Sequence, residues 1–136
     1  MISAIDTNVL LDVLEDDPVF LEPSLDALRR CDAEGRLIAC DVVWAEVAAR
    51  FSSADHLREV MDRVGVAFSS LTVEAALGAG AAWSRYRQRG GSRSRVVADF
   101  LIGAHAQTQA DRLVTRDRGF YRTYFADLAV LDPSPG

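Results

Sequence analysis

Short apolar runs alternate with segments of helical periodicity along the chain, and this alternation constrains the fold more than any other feature. Strands that alternate with helices are typical of βα units and a parallel sheet. The predicted strands are residues 2–5, 37–40, 66–68, 112–115 and 128–131. The predicted helices are residues 7–15, 18–34, 44–51, 57–64, 72–87, 96–110 and 120–125. We therefore predict an α/β fold whose parallel sheet of about four to five strands is flanked by helices.

Length and composition limit the class of protein. The 136 residues predict one domain over residues 1–136, and a hydrophobic content of 49% is enough for a core. No apolar stretch approaches the roughly 20 residues of a membrane helix, and residues 1–6 lack the basic region of a signal peptide. We therefore expect a cytoplasmic protein. Cys31 and Cys40 have no zinc-type spacing and are expected to be reduced core residues.

Two aspartates are predicted to follow strands. Asp6 comes directly after the first strand, and Asp117 comes just after the fourth. In open α/β sheets ligands bind at the carboxyl ends of the strands, so the two carboxylates would share one crevice if these strands are neighbours. Helix capping is an equally good explanation for either aspartate taken alone.

Two further carboxylates lie within predicted helices. Glu46 is off the apolar stripe of its helix, where a surface ion pair with Arg50 is the simple alternative. Asp99 lies in the almost wholly apolar segment 96–102, and a carboxylate buried there without a partner would be very costly. Its alternative role is that of an acid near a helix N-terminus, stabilised by the helix dipole.

Carboxylates that converge in one site need a cation. Two of them within about 4 Å repel by about 4 kcal/mol at an effective dielectric constant of about 20. A hard divalent cation removes this penalty, and Mg²⁺ or Mn²⁺ held in this way lowers the pKa of a bound water and neutralises phosphate charge. The patterns HExxH, GxxxxGKS/T, CxxC and GxSxG do not occur, so the catalytic classes that depend on them lack their residues.

The acids belong to motifs that occur in a fixed order. The motifs are IDTNVL at residues 5–10, Glu46 in an apolar helix, ADFLIGA at 98–104, VTRDRGF at 114–120 and LAVLDP at 128–133. This ordered set, which spans the chain from about residue 2 to 133, resembles the PIN domains, in particular the VapC-type toxins of bacterial toxin–antitoxin pairs. One motif alone is weak, whereas the four acids at intervals of 40, 53 and 18 residues are fairly specific.

The resemblance implies a PIN-like single domain that cleaves RNA through an activated water at an acidic Mg²⁺ or Mn²⁺ site. Thr7 and Asn8 would orient Asp6 and its neighbours, and Thr115 would form a hydrogen bond in the same site. The catalytic and metal-binding residues would be Asp6, Glu46, Asp99 and Asp117.

The resemblance also implies a cognate antitoxin protein as partner and favours a homodimer. Gly78 and Gly80 in a predicted helix are an independent hint of close packing against a second helix or subunit. Gly103 departs from the family pattern, which more often has alanine at this position.

The arginines are candidates for RNA binding. The net charge is −5, but all fifteen basic residues are arginine and five of them fall between positions 85 and 95. Gly90 and Gly91 would let this segment follow an RNA backbone, and Tyr86 would stack on a base, although the aromatic residues, Tyr86 included, are mostly expected in the core or an interface. The alternative is a solvated helix end whose basic residues offset the helix dipole. The five candidates are Arg85, Arg87, Arg89, Arg93 and Arg95.

Two other functions stay open on the sequence alone. A two-component receiver domain also gathers acids at strand ends, but it uses a lysine near its phosphoacceptor and this chain has no lysine. A non-catalytic PIN-fold interaction protein is the second alternative. His56 and His105 have no partners at metal-ligand spacing and are expected to be exposed or core residues.

Overall fold

The computed structural model describes residues 1–91 and 97–134. The strands in these residues are β1 (Ile2–Ile5), β2 (Arg36–Cys40), β3 (Val66–Ser69), β4 (Arg112–Val114) and β5 (Val130–Leu131). The helices are α1 (Thr7–Leu14), α2 (Leu21–Glu34), α3 (Asp41–Ala48), α4 (Ala54–Val64), α5 (Val73–Gln88), α6 (Val97–Gln109) and α7 (Arg118–Tyr124). The predicted α/β class with a parallel sheet is confirmed.

The five strands form one parallel sheet in the order β3-β2-β1-β4-β5. The chain builds outward from β1 to β3 and then returns to add β4 and β5 on the other side of β1. The order therefore reverses between β1 and β4, which is where open α/β sheets bind their ligands. Ala4 pairs with Leu113 and Ile5 with Val114 across this junction. All four side chains are almost fully buried, as central strands of a parallel sheet should be.

Several predicted boundaries differ from the structure, among them the start of α3 at Asp41 and of α4 at Ala54, and two of the differences arise because local hydrogen bonds form turns. Asp17 accepts the backbone N–H groups of Val19 and Phe20 at 2.9 Å each, so α2 begins only at Leu21. At the other end of the chain, the backbone N–H of Leu128 donates to the carbonyl of Phe125 at 3.0 Å. This turn delays β5, which is correspondingly short.

The predicted environments of the cysteines and histidines are confirmed. Cys31 and Cys40 are free thiols buried in the core. His105 is buried in α6, where its Nε2 atom forms a hydrogen bond of 2.9 Å with the Ser69 hydroxyl, and His56 is exposed. Within the described residues, none of the helices has the length and apolarity that crossing a membrane would require.

Three helical glycines differ in what surrounds them. A Cβ atom on Gly78 would lie 3.9 Å from the Ala104 Cβ, an ordinary contact between α5 and α6. A Cβ atom on Gly80 would meet nothing within 4 Å. A Cβ atom on Gly103 would lie only 2.5 Å from Cε2 of Phe125, whose ring is buried. Glycine at position 103 therefore lets Phe125 pack directly on α6.

We predict that Gly103→Ala destabilises the fold although alanine is the better helix former. The added methyl group must displace the buried Phe125 ring, and overpacking of this kind costs about 1–3 kcal/mol. Gly80→Ala is the matched control, which should gain about 0.5–1 kcal/mol because its methyl group meets open space. Urea unfolding measures both. Equal stabilisation by the two substitutions would show that the Phe125 contact does not constrain position 103.

Candidate active site

Asp6 lies at the carboxyl end of β1, where its side chain is held on both oxygens. Oδ1 accepts the backbone N–H of Thr7 at 2.7 Å, so the side chain caps α1 as the capping alternative predicted. Oδ2 accepts the hydroxyl of Thr115 at 2.7 Å, the hydroxyl of Tyr121 at 3.3 Å and the amide of Asn8 at 3.4 Å. Capping thus occupies one oxygen, while the other faces the residues that follow β4.

Thr115 and Asn8 connect the end of β1 to the end of β4. The Thr115 hydroxyl donates to Asp6 and accepts the backbone N–H of Asp117 at 3.0 Å. The side-chain oxygen of Asn8 accepts the backbone N–H of Arg116 at 3.3 Å. These contacts agree with the orienting role expected for Thr115 and Asn8, and they hold Asp6 and Asp117 on neighbouring strand ends.

Burial dominates the electrostatics of Asp6. The side chain is 5% exposed, and burial raises the pKa of its carboxyl from 3.8 to about 6. The hydrogen bonds from Thr115 and Thr7 lower this pKa and offset part of the rise, whereas the negative charge of Asp99 raises it further. Asp99, on the first turn of α6, is therefore close enough to Asp6 for their charges to interact.

Tyr121 is a site residue that the sequence analysis missed. Its ring is fully buried in the core, but its hydroxyl donates to Asp6. Burial and the negative charges of Asp6, Asp99 and Asp117 raise the pKa of this hydroxyl far above its usual range. Three carboxylates therefore act on one phenol. Tyr121 is four residues after Asp117 on the following helix, and this spacing could have revealed it.

Glu46 is linked to the other acids through Thr7. Its Oε1 atom accepts the Thr7 hydroxyl at 2.7 Å, which connects α3 to the first turn of α1. The expected surface pair with Arg50 is not formed, because Arg50 makes two hydrogen bonds of 2.8 and 2.9 Å with Glu15 instead. Glu46 is exposed and lies at the outer side of the group.

The chemistry of the donor set fits a hard divalent cation. Oxygen ligands from carboxylates are what Mg²⁺ and Mn²⁺ take, and a cation would relieve the repulsion that Asp99 exerts on Asp6. As they stand, no three Asp, Glu, His or Cys side chains in residues 1–91 and 97–134 converge closely enough to hold an ion. Mg²⁺ usually keeps several waters and is bound through only one or two carboxylates, so Asp6 and its acidic neighbours would still suit it.

The first two predicted RNA-binding arginines pack against the protein. Arg85 donates to the backbone carbonyl of Tyr124 at 3.3 Å, and the guanidinium of Arg87 lies 5.7 Å from the centre of the Trp83 ring. Both belong to the last turn of α5, where positive charge also offsets the helix dipole.

The remaining arginines follow α5. Arg89 is the exposed C-cap residue of α5, while Arg93 and Arg95 lie outside the described residues. The idea that Tyr86 stacks on a base is wrong, because its ring is buried and packs 5.4 Å from the ring of Phe100. The Tyr86 side chain lies on the face of α5 that packs on the core.

Comparison with known proteins identifies the family. A family model described as PIN domain matches residues 4–126. The chain belongs to the PIN domain family. The resemblance seen in the sequence is thereby confirmed, and the receiver-domain alternative is wrong. A search of curated proteins found no match.

Solved structures share the fold of this PIN domain. One is a chain of VapBC2 from Rickettsia felis, in a crystal structure bound to a DNA fragment from the promoter. The two chains are 18% identical and superpose with a TM-score of 0.75, over 97% of this chain and 98% of that chain. Another is from VapBC-1 of nontypeable Haemophilus influenzae, with 19% identity and a TM-score of 0.72 over 98% of both chains. A toxin–antitoxin complex from Klebsiella pneumoniae gives 19% identity and a TM-score of 0.69 over 98% of this chain and 99% of that chain.

We predict that the contribution of Asp6 to the stability of the metal-free protein becomes less favourable as the pH rises from about 4 to about 7. The folded state holds the Asp6 proton more tightly than the unfolded chain does, because the pKa is about 6 when folded and 3.8 when exposed. The loss is at most about 3 kcal/mol by proton linkage. Urea unfolding in EDTA at several pH values measures it, with Asp6→Asn as the comparison. An Asp6→Asn variant with the same pH dependence as the wild type would contradict this assignment.

Proposed function

We propose that this PIN domain is a Mg²⁺- or Mn²⁺-dependent endoribonuclease that hydrolyses RNA phosphodiester bonds. The observation that carries the proposal is the placement of Asp6 at the carboxyl edge of the sheet, where its carboxylate accepts the Tyr121 hydroxyl at 3.3 Å and where Asp99 and Asp117 are near enough for their charges to act on the same hydroxyl. An acidic, partly buried group at the point where the strand order reverses suits a cation and a phosphate better than an organic ligand.

The four acids, with Glu46 at the outer side, would hold the cation. When bound, it supplies an activated water and neutralises charge on the phosphate. Thr115, Asn8 and Tyr121 orient Asp6 through its Oδ2 atom, and Thr7 orients Glu46 through its hydroxyl. The buried Tyr121 ring also excludes water from the inner side of the carboxylates.

We further propose that the protein is the toxin of a toxin–antitoxin pair, acts in the cytoplasm and is silenced by a small antitoxin protein. The likeness to chains from VapBC and other toxin–antitoxin complexes supports this role. A partner that inserts an arginine among the acids would form strong charge-assisted hydrogen bonds there.

A homodimer contact on α5 is part of the same proposal. Val73 and Leu77 are 72% and 70% exposed, and they are one helical turn apart on α5. Gly80 continues this surface and borders a groove of about 460 Å³ beside Trp83. Large exposed apolar side chains in a row are typical of protein contacts, and small residues allow two helices to approach closely.

The alternative function is a non-catalytic PIN-fold interaction protein. An interaction protein would not require the carboxylates to occupy defined positions. Asp6, however, is buried at a cost to folding stability, and its carboxylate accepts hydrogen bonds from four donors. A buried acid maintained at such a cost is typical of a working site rather than of a scaffold.

We predict that Asp99→Asn reduces RNA cleavage by at least about 100-fold while the protein stays folded. Removing the Asp99 charge also relieves Asp6, so the metal-free variant should be at least as stable as the wild type. Cleavage of a labelled RNA is measured with Mg²⁺, with Mn²⁺ and with EDTA. Asp55→Asn, at an exposed acid in the first turn of α4, is the matched control and should retain full activity. Full Mg²⁺-dependent activity of Asp99→Asn would refute the site.

We predict that controlled expression of the wild type arrests bacterial growth and degrades RNA, whereas Asp99→Asn does neither. The reason is that toxicity requires catalysis rather than mere binding of a partner. Growth curves and total RNA profiles after induction are the measurements. Normal growth with a protein that cleaves RNA in vitro would remove the toxin role and leave the nuclease.

We predict that replacing Arg89, Arg93 and Arg95 by Gln weakens RNA binding. For every single-strand phosphate that these arginines neutralise, the substitution should lower the log–log salt slope of binding by up to ~0.7. A control variant with the same change in charge carries Gln at the exposed Arg29, Arg58 and Arg63. Equal affinity and equal slope in both triple variants would mean that the segment after α5 does not contact RNA.

A further inference from the structure

Asp12 and Arg116 form a partly buried ion pair that the sequence motifs did not reveal. Asp12 is 3% exposed on α1, and its Oδ2 atom accepts Arg116 Nε at 2.8 Å while its Oδ1 atom accepts Arg116 Nη2 at 3.0 Å. The Ser24 hydroxyl of α2 donates to Oδ2 at 2.7 Å. The guanidinium lies 3.9 Å from the centre of the Phe20 ring. Together these contacts fix one arginine in a single orientation.

Arg116 is the residue between the two polar groups that hold the end of β4 to Asp6. On one side of it, Thr115 donates to Asp6, and on the other side the backbone N–H of Asp117 donates back to Thr115. The backbone N–H of Arg116 itself donates to Asn8 on α1. Whatever fixes Arg116 therefore fixes the loop from β4 to α7.

In the described residues, the capping and first-turn hydrogen bonds of α7 add little restraint to this loop. Asp117 is the N-cap residue of α7, but its side chain makes no capping hydrogen bond. The backbone N–H of Tyr121 approaches the Asp117 carbonyl only at 3.5 Å, so the first turn of α7 holds the loop weakly. Outside α7, the loop is held by the backbone N–H of Thr115, which donates to the Leu131 carbonyl at 3.1 Å, and by the side chains of Asn8 and Asp12 on α1.

We propose that the Asp12–Arg116 pair is a positioning device that sets Asp117 and Thr115 relative to Asp6. The expected effect of this pair on turnover rests on the proposed nuclease function, whereas its expected effect on the loop does not. A bidentate, stacked arginine restrains direction as well as distance, which a lysine cannot reproduce. Both Asp12 and Arg116 are positioning residues, because they act through the loop.

A second ion pair provides a matched control. Arg50 binds Glu15 through the same two nitrogens, Nε and Nη2, one helical turn further along α1. Both pairs border one groove of about 340 Å³. The Arg50–Glu15 side chains are 54% and 39% exposed and touch neither Thr115 nor Asp117 in any hydrogen bond of the described residues. Its donor and acceptor atoms are therefore the same as those of the Asp12–Arg116 pair, but it is more exposed and has no connection of this kind to the site.

The experiment compares Arg116→Lys, Asp12→Asn and Arg50→Lys with the wild type. In the metal-free proteins, amide hydrogen exchange by NMR should be at least about tenfold faster at Arg116 and Asp117 in the first two variants, with core strands unchanged. Arg50→Lys should leave both amides as they are. With Mg²⁺ and RNA, kcat of the first two variants should be about 10- to 100-fold lower than that of the wild type, while KM stays within about threefold. This is the result expected when Asp117 and Thr115 are displaced but RNA still binds.

Each result decides the proposal. Unchanged exchange at Arg116 and Asp117 overturns it, and so does uniformly faster exchange at all amides, which would make the pair a general stabiliser. A decrease in kcat for Arg50→Lys equal to that for Arg116→Lys also overturns it. If the wild type cleaves no RNA, the proposed function fails, while the exchange measurement still tests the positioning of the loop.

Discussion

The pairing of β1 with β4 is the constraint on which the site depends. Residues 109 positions apart in sequence become neighbours there, so that Thr115 donates to Asp6 at 2.7 Å. The backbone N–H of Asp6 also donates to the Val114 carbonyl at 3.0 Å, which continues the ladder beyond the strand. A slip by one residue would turn Asp6 to the other face of the sheet and separate it from Thr115. The register of β1 against β4 therefore determines the geometry of the site as much as the strand order does.

The buried carboxylate is the cost of this arrangement. Asp6 carries its charge in a setting that favours the proton, and the hydrogen bonds from Thr115 and Thr7 offset only part of the penalty. Such a group destabilises the metal-free protein at neutral pH, and under the proposed function the same repulsion would favour a bound cation. The repulsion that lowers the stability of the fold is therefore the same repulsion that a bound cation would relieve. A partly buried ion pair at Asp12 and Arg116 then holds the neighbouring loop without adding net charge.

Much of the fold was predictable because each element carries its own signal. Short apolar runs predicted all five strands, period-3.6 apolar patterns predicted the described helices, and Asp6 and Asp117 could be assigned to strand ends. The boundaries at Leu21 and Leu128 were missed because side-chain and backbone hydrogen bonds form turns there that apolar spacing does not encode. Apolar spacing also could not decide between base stacking and core packing for Tyr86, since an aromatic residue beside arginines can face either solvent or the core.

The sequence by itself determined the class of fold, the family and the identity of the four candidate acids, because motif order and local periodicity are properties of the chain alone. Only the tertiary structure decided which groups share a site. Burial raised the pKa of Asp6, Tyr121 turned its hydroxyl toward the acids, and Arg116 paired with Asp12 across 104 residues. These contacts depend on strand order and helix packing. Both are set by burial of the whole apolar core, so no short stretch of sequence contains them.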